Sequence, residues 1–255
     1  EMSGTSPDEI DLIITASMTG DYLCPTTAGG IERILGAHCP AYDINSACSG
    51  FVFALETAAG YFARKKVKKA LVVGSERISK ITDWTDRNTC VIFGDGAGAA
   101  VLEPGDSYIA SHINTEGGDE VINIPTGTNL SPYYKKETKD CRIFMDGQET
   151  FKFAVSTMAG DISRLAEEAN VSLGDIKYIV PHQANVRIIQ YASKRLKIPM
   201  EKFFVNIQNY GNTSAASIAI ALDELNRTKG IEKGDLIIMT AFGGGLSSGS
   251  CLIKW

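Results

Sequence analysis

The sequence predicts an α/β fold made of two related halves. Short, largely apolar runs at 11–15 (DLIIT), 70–74 (ALVVG), 176–180 and 236–240 alternate with segments of helical periodicity. Strands this apolar belong in sheets covered by helices on both faces. The order also recurs. Residues 8–14 (DEIDLII) resemble 174–180 (GDIKYIV), and the strand at Ala70 recurs at Leu236, both at an offset of 166 residues. A shared offset favours a duplicated β/α unit over chance similarity.

The elements follow in order. A strand at 11–15 precedes one at 42–45, which leads through Ser46 into a long helix over 47–66. After the strand at 70–74, segments 90–93 and 98–102 flank Gly94-Asp95-Gly96, which reads as a hairpin. Residues 104–150, rich in Gly, Pro, Asn and Thr, read as a connecting insertion between an N-terminal half (1–103) and a C-terminal half (151–255). The second half opens with an amphipathic helix over 151–170, with Ala154, Val155, Met158, Ile162, Leu165, Ala166 and Ala169 on one side. A strand at 176–180, a helix at 185–196, a strand at 203–207, a helix at 215–227 and strands at 236–240 and 250–253 complete it. The first half has no helix to match 151–170 before its first strand. It is therefore expected to be incomplete at its start, and the chain to be a piece of a longer protein.

Composition narrows the function classes. The chain has 255 residues, 44% hydrophobic and 22% charged, with a net charge of -5. That balance supplies no general attraction to nucleic acid or an anionic membrane. No apolar run reaches the roughly 18 residues of a membrane span. The opening Glu1-Met2-Ser3-Gly4 is not a signal peptide. The six cysteines (24, 39, 48, 90, 141, 251) form no CxxC pair, and the three histidines (38, 112, 182) are scattered, so no metal site is expected. Several cysteines sit in apolar stretches, which suggests reduced thiols and a cytoplasmic location.

Three positions carry chemistry. Cys48, in DINSACSGF (43–51), stands at a strand-to-helix junction. The helix dipole and free N–H groups there favour thiolate, the nucleophilic form. A buried structural cysteine is the plainer alternative. His182 follows a buried strand behind Pro181, where α/β folds gather ligands. Asn212, in NYGNTSAAS (209–217), occupies the duplicated counterpart of the Cys48 loop, although Asn there also suits a helix cap. Gly243-Gly244-Gly245, after Ala241-Phe242 at a strand end, would let backbone N–H groups approach an oxyanion. GDGAG (94–98) is not a G-x-G-x-x-G fingerprint, so dinucleotide binding is rejected. The basic run RKKVKK (64–69) reads as a solvated helix end, whereas Arg187, Lys194 and Arg195 beside His182 form a better docking patch.

Together with TDR (85–87), FGDGAGAAV (93–101), PHQANVRII (181–189), GNTSAAS (211–217) and AFGGG (241–245), these motifs resemble the β-ketoacyl-acyl carrier protein synthase III family of the thiolase superfamily. The resemblance implies a five-layered αβαβα fold of two duplicated halves, a homodimer, and an N-terminal segment beyond this sequence. It implies decarboxylating condensation of an acyl-CoA primer with malonyl-acyl carrier protein. Cys48 would take the acyl group, and the backbone N–H groups of Cys48 and Gly244 would form the oxyanion hole. His182 and Asn212 would donate hydrogen bonds to the enolate left by loss of carbon dioxide. Arg87, Gln148, Phe151 and Phe242 would contact the coenzyme A substrate or line its tunnel, and Arg187 the acidic carrier protein. Gln148 departs from the Asn common in the family. Cys24 stands where some members carry a bulky residue capping the partner's primer pocket. Coenzyme A thioester enters as a substrate, and no cofactor is implied. A related Cys-His-Asn condensing enzyme of secondary metabolism, a thioester hydrolase and a non-catalytic binding subunit remain as rival readings.

Overall fold

The computed structural model describes residues 3–126, 133 and 141–255. The start at residues 1–2 and part of the expected connector, 127–132 and 134–140, lie outside the described residues.

The apolar runs form strands of two sheets. β1 (Leu12–Ala16) is buried along its whole length and lies between β2 (Ala41–Ile44) and β3 (Ala70–Glu76), parallel to both, with Ile14 opposite Tyr42 and Val72. β4 (Gly96–Leu102) runs antiparallel to β3, with Val72 opposite Ala100, so the first sheet has the order β2-β1-β3-β4. The second sheet has the order β5-β10-β9-β8. There β8 (Ile176–Pro181) and β9 (Leu236–Gly243) are parallel. β10 (Ser247–Lys254) is antiparallel to β9 and to β5 (Tyr108–Thr115). A short pair, β6 (Ile122–Asn123) with β7 (Phe144–Met145), stands apart.

The helices set the layers. α1 (Thr27–Leu35) covers the outer face of the first sheet, where Ala28, Ile10, Ile13 and Ala37 close a small core. Its first N–H groups, on Thr27 and Ala28, both reach the Asp43 carboxylate at 2.7 Å, a charge placed well for the helix dipole. α2 (Gly50–Ala63) and α6 (Ser217–Lys229) lie between the sheets and touch both. They bury Phe51, Val52, Leu55, Ile218 and Leu225 with Ile14, Val72, Ile237 and Met239 in the central core. α3 (Gly147–Glu168) and α4 (Val186–Leu196) cover the far side of the second sheet through Met158, Ile162, Leu165, Ile188 and Ile189. The result is the αβαβα layering.

Four expectations need correction. Segment 90–93 is not a hairpin strand; it is a turn whose Phe93 bridges Asn212. Gly94 and Gly96 are there for close approach: a Cβ on Gly94 would stand 2.1 Å from the Tyr210 carbonyl oxygen. Segment 203–207 is not a strand either. Only Phe203 bridges Ile179, and the chain turns at once into the single-turn α5 (Ile207–Tyr210). The connector read over 104–150 contains β5, an edge strand of the second sheet, and the beginning of α3. Finally, the helix expected over 47–66 begins as a turn of 3-10 helix, Ala47–Ser49, and becomes α-helical only at Gly50.

Candidate active site

Two matching elbows build the site. Each leads from an extended segment through one turn of 3-10 helix into a central helix: Ala47–Ser49 into α2 and Ser214–Ala216 into α6. Each opens with a non-glycine residue in left-handed backbone, Ala47 at φ 45° and Ser214 at φ 49°. Such strain persists only where surrounding contacts hold it. Here the elbows hold each other: a Cβ on Gly50 would meet the Cβ atoms of Ala16 at 3.0 Å and Ala215 at 3.5 Å.

Cys48 lies in the first elbow, half-buried. The end of β9 presses on it: a Cβ on Gly243 would come within 2.8 Å of the Cys48 nitrogen and 2.9 Å of its Cβ. Only glycine allows that approach, and it sets the GGG turn beside the sulfur. The turn is pinned by Ser247, whose hydroxyl lies 2.7 Å from that of Ser49 and 2.9 Å from the Gly244 carbonyl. Burial pushes the Cys48 thiol up to about 11 and the Glu76 charge adds to this, while a hydrogen bond with Ser214 and the backbone pull the other way. Desolvation is the largest of these influences.

His182 follows β8, fully buried, its N–H donating to the Thr240 carbonyl at 2.7 Å. Phe242 packs against it edge-on, with ring centroids 5.5 Å apart. Burial holds the imidazole neutral, pushed down to about 3. Among the described residues neither ring nitrogen has a hydrogen-bond partner. The neighbouring Gln183 is fixed on every side: its N–H reaches Ser217 at 2.8 Å, its amide donates to the Pro181 and Phe204 carbonyls, and its oxygen accepts from Asn206. That network ties the His182 loop to the start of α6. Asn212 precedes the second elbow and is buried. Its Oδ1 accepts the Ser214 N–H at 2.9 Å, which leaves the NH2 end as a donor. Its backbone is clamped to Ile92 and Gly94 at 2.9 and 3.0 Å.

Among the other expected residues, Arg87 is exposed on a loop braced by the Asp86 turn, and Gln148 is exposed in the first turn of α3. A bond from Ile143 N–H to the Ile81 carbonyl (2.8 Å) and the Arg142–Asp83 ion pair (2.7 Å) join the two loops that carry them. Phe151 is partly buried on the core beneath α3. Arg187, Lys194 and Arg195 all lie on the exposed side of α4. Sequence reasoning missed Glu76 and Ser214, which meet at the nucleophile; a glutamate ending an otherwise apolar strand was the available signal. Among the described residues no group of three His, Cys, Asp or Glu side chains could hold a metal ion.

Comparison with known proteins assigns the lineage. The chain matches the family described as 3-oxoacyl-[acyl-carrier-protein (ACP)] synthase III over residues 42–117 and its C-terminal model over 166–255. A β-ketoacyl-[acyl-carrier-protein] synthase III of Clostridium acetobutylicum is 44% identical over all of this chain and 80% of its own length. The chain belongs to the 3-oxoacyl-[acyl-carrier-protein] synthase III family. The crystal structure of the synthase III from Aquifex aeolicus VF5 superposes with a TM-score of 0.90 at 42% identity, over 99% of this chain and 80% of that one. A priming β-ketosynthase of the R1128 polyketide pathway gives 0.89 at 33% identity, over 99% and 77%. The fold is thus thiolase-like, and the protein is an acyltransferase of the synthase III family.

Proposed function

We propose that this synthase III homologue condenses an acyl-CoA primer with malonyl-acyl carrier protein through an acyl-Cys48 intermediate. The products are β-ketoacyl-acyl carrier protein, coenzyme A and carbon dioxide, in the step that initiates fatty acid synthesis. The observation that carries the mechanism is His182: a fully buried imidazole whose two ring nitrogens have no hydrogen-bond partner among the described residues. Leaving such groups unmade is costly, so a substrate oxygen is their natural partner. An imidazole pushed down to about 3 is a poor base for activating water but a sound neutral donor to an oxyanion. This supports the condensing reading over a hydrolase.

In the first half-reaction the Cys48 sulfur attacks the primer carbonyl, with the Cys48 and Gly244 N–H groups facing the developing oxyanion. In the second, malonyl-acyl carrier protein loses carbon dioxide. Its enolate oxygen receives hydrogen bonds from His182 and the Asn212 amide, and its carbanion attacks the acyl group on Cys48. Arg87, Gln148, Phe151 and Phe242 serve the coenzyme A thioester, and Arg187, Lys194 and Arg195 the acidic carrier. The reaction needs no metal or redox cofactor. We assign the working form to a cytoplasmic homodimer.

Intact-protein mass spectrometry after brief exposure to a panel of acyl-CoA primers tests this. The wild-type protein should gain one acyl mass, and malonyl-acyl carrier protein should discharge it with release of carbon dioxide. Cys48→Ala should gain nothing. A folded protein that no primer acylates would overturn the Cys48 assignment, and discharge by water alone would restore the hydrolase reading.

A further inference from the structure

The turn that carries Gly244 joins β9 to β10, and each of its three carbonyls is held. The Leu246 carbonyl accepts the Glu116 N–H at 2.7 Å, and the Gly245 carbonyl accepts the Gly118 N–H at 3.0 Å. The Gly244 carbonyl is held by a side chain instead, the Ser247 hydroxyl at 2.9 Å. That hydroxyl also lies 2.7 Å from the Ser49 hydroxyl and 3.2 Å from the Ser46 carbonyl. The Ser49 hydroxyl lies 2.8 Å from the same Ser46 carbonyl. Both serines are buried. Two backbone bonds thus tie the turn to residues 116–118, and a hydroxyl pair ties it to the elbow of Cys48.

The protons available give this bridge a direction. Each hydroxyl has one proton to donate. The Ser46 carbonyl already accepts the Ser49 N–H at 3.2 Å. The Gly244 carbonyl is served by Ser247. Both needs are met when Ser49 donates to Ser247 and Ser247 donates to Gly244. The two ends of the bridge bracket the nucleophile. One end is the Ser46–Ser49 turn, which encloses Cys48 and the left-handed Ala47, φ 45°. Such backbone needs restraint from outside. The other end is Gly244. Close approach at Gly243 sets how near the two segments come, and the hydroxyl pair sets how the turn is rotated against the elbow.

We infer that Ser49 and Ser247 are positioning residues that set the oxyanion hole, their hydroxyl pair holding the Gly244 N–H in register with the Cys48 N–H. The inference rests on the acyl-Cys48 reading of the site. Neither serine is assigned a contact with substrate. They act through two N–H donors, which stabilise an oxyanion only when both point at the same oxygen. Misplacing a reacting or stabilising group by about 1 Å costs on the order of 10²-fold in rate. The hole serves carbonyl attack in both half-reactions, on the primer and on the acyl-Cys48 ester. Decarboxylation draws on other donors, His182 and the Asn212 amide. The two activities therefore separate a positioning role from general damage to the site.

The test uses the full chain with acetyl-CoA and malonyl-acyl carrier protein. Rapid-quench mass spectrometry follows acyl-Cys48 formation, and carbon dioxide release by the unacylated protein follows decarboxylation. At saturating acetyl-CoA, Ser247→Ala should form acyl-Cys48 about 10²-fold more slowly. The acetyl-CoA concentration giving half the maximal rate should move far less. Ser49→Ala should slow acylation by a smaller factor, since the Ser247 hydroxyl still reaches Gly244. The double variant should match Ser247→Ala alone, because the two hydroxyls act as one unit. Decarboxylation should change little in all three. An acylation rate in Ser247→Ala equal to wild type would overturn the inference. Equal losses of acylation and decarboxylation would overturn it too, since that is packing damage. A double variant whose loss is the product of the two single losses would do the same. If Ser247→Ala does not fold, Ser49→Ala decides by the same split between the two activities. Failure of the wild type itself to acylate would overturn the Cys48 assignment, and the inference with it.

Discussion

His182 and Asn212 differ from Cys48 in what they offer: donors aimed at an oxygen rather than a sulfur aimed at a carbon. Burial keeps the imidazole neutral, and the bond from Ser214 to Oδ1 fixes which end of the Asn212 amide faces out. Removing one preorganised donor to a developing oxyanion costs about 10²- to 10³-fold in rate. His182→Ala and Asn212→Ala should each slow decarboxylation by about that factor while still forming acyl-Cys48. Separate assays of carbon dioxide release and of acyl-enzyme mass check this, and equal loss in both would assign the residues to primer binding instead. His182 was legible because it follows a buried strand, and Cys48 and Asn212 because each lies at a loop of small residues that opens into a helix. The packing around the Cys48 thiol was not, because it comes from β9 and the second elbow, both distant in the chain.

Elements deliver these side chains by close approach. Gly243 lets β9 press on the nucleophile elbow, and Gly74 does the same for β3 under the second elbow, where a Cβ would stand 2.4 Å from the Ala215 carbonyl oxygen. Gly243→Ala should therefore lower stability by about 1–3 kcal/mol, the usual cost of overpacking, and slow acylation as well. Gly105→Ala, with nothing within 4 Å of the added carbon, should leave both unchanged. Urea midpoints and acyl-enzyme mass on the two variants measure it. The same principle explains why GDGAG misread as a hairpin. Its glycines serve contacts with Tyr210, Thr213, Ala219 and Ile220, and no local pattern distinguishes a turn glycine from a packing glycine.

Stability of the whole molecule carries two opposed pH terms from the site. His182 is pushed down to about 3, so the folded state holds fewer protons than the unfolded chain below the ordinary histidine value of 6.5. That contribution is lost as pH falls from about 6.5 toward 3. Glu76 is raised from 4.5 to about 7, so its contribution is present below 4.5 and is lost as pH rises through 7. Between about 4.5 and 6.5 the two slopes oppose each other. Relative to wild type, Glu76→Gln should gain stability as pH rises across its window, by on the order of 3 kcal/mol in total. His182→Gln should gain as pH falls from 6.5. Chemical denaturation from pH 4.5 to 7.5 would show the differences, and a pH-independent gap for Glu76→Gln would mean that its carboxyl is ordinary in the folded state.

Strand runs, helix faces, the repeat at 166 residues and the three chemistry-bearing positions came from the sequence itself. All of these depend on local periodicity or on residue type at a strand end. Tertiary structure decided the rest. It placed residues 108–115 at the edge of the second sheet and denied 203–207 a strand, because pairing depends on which distant backbone edge is open. It also brought Glu76, Ser214 and Cys48 together from three separate elements. Burial comes from residues distant in the chain, so no local pattern shows which polar side chain folding will strip of its water.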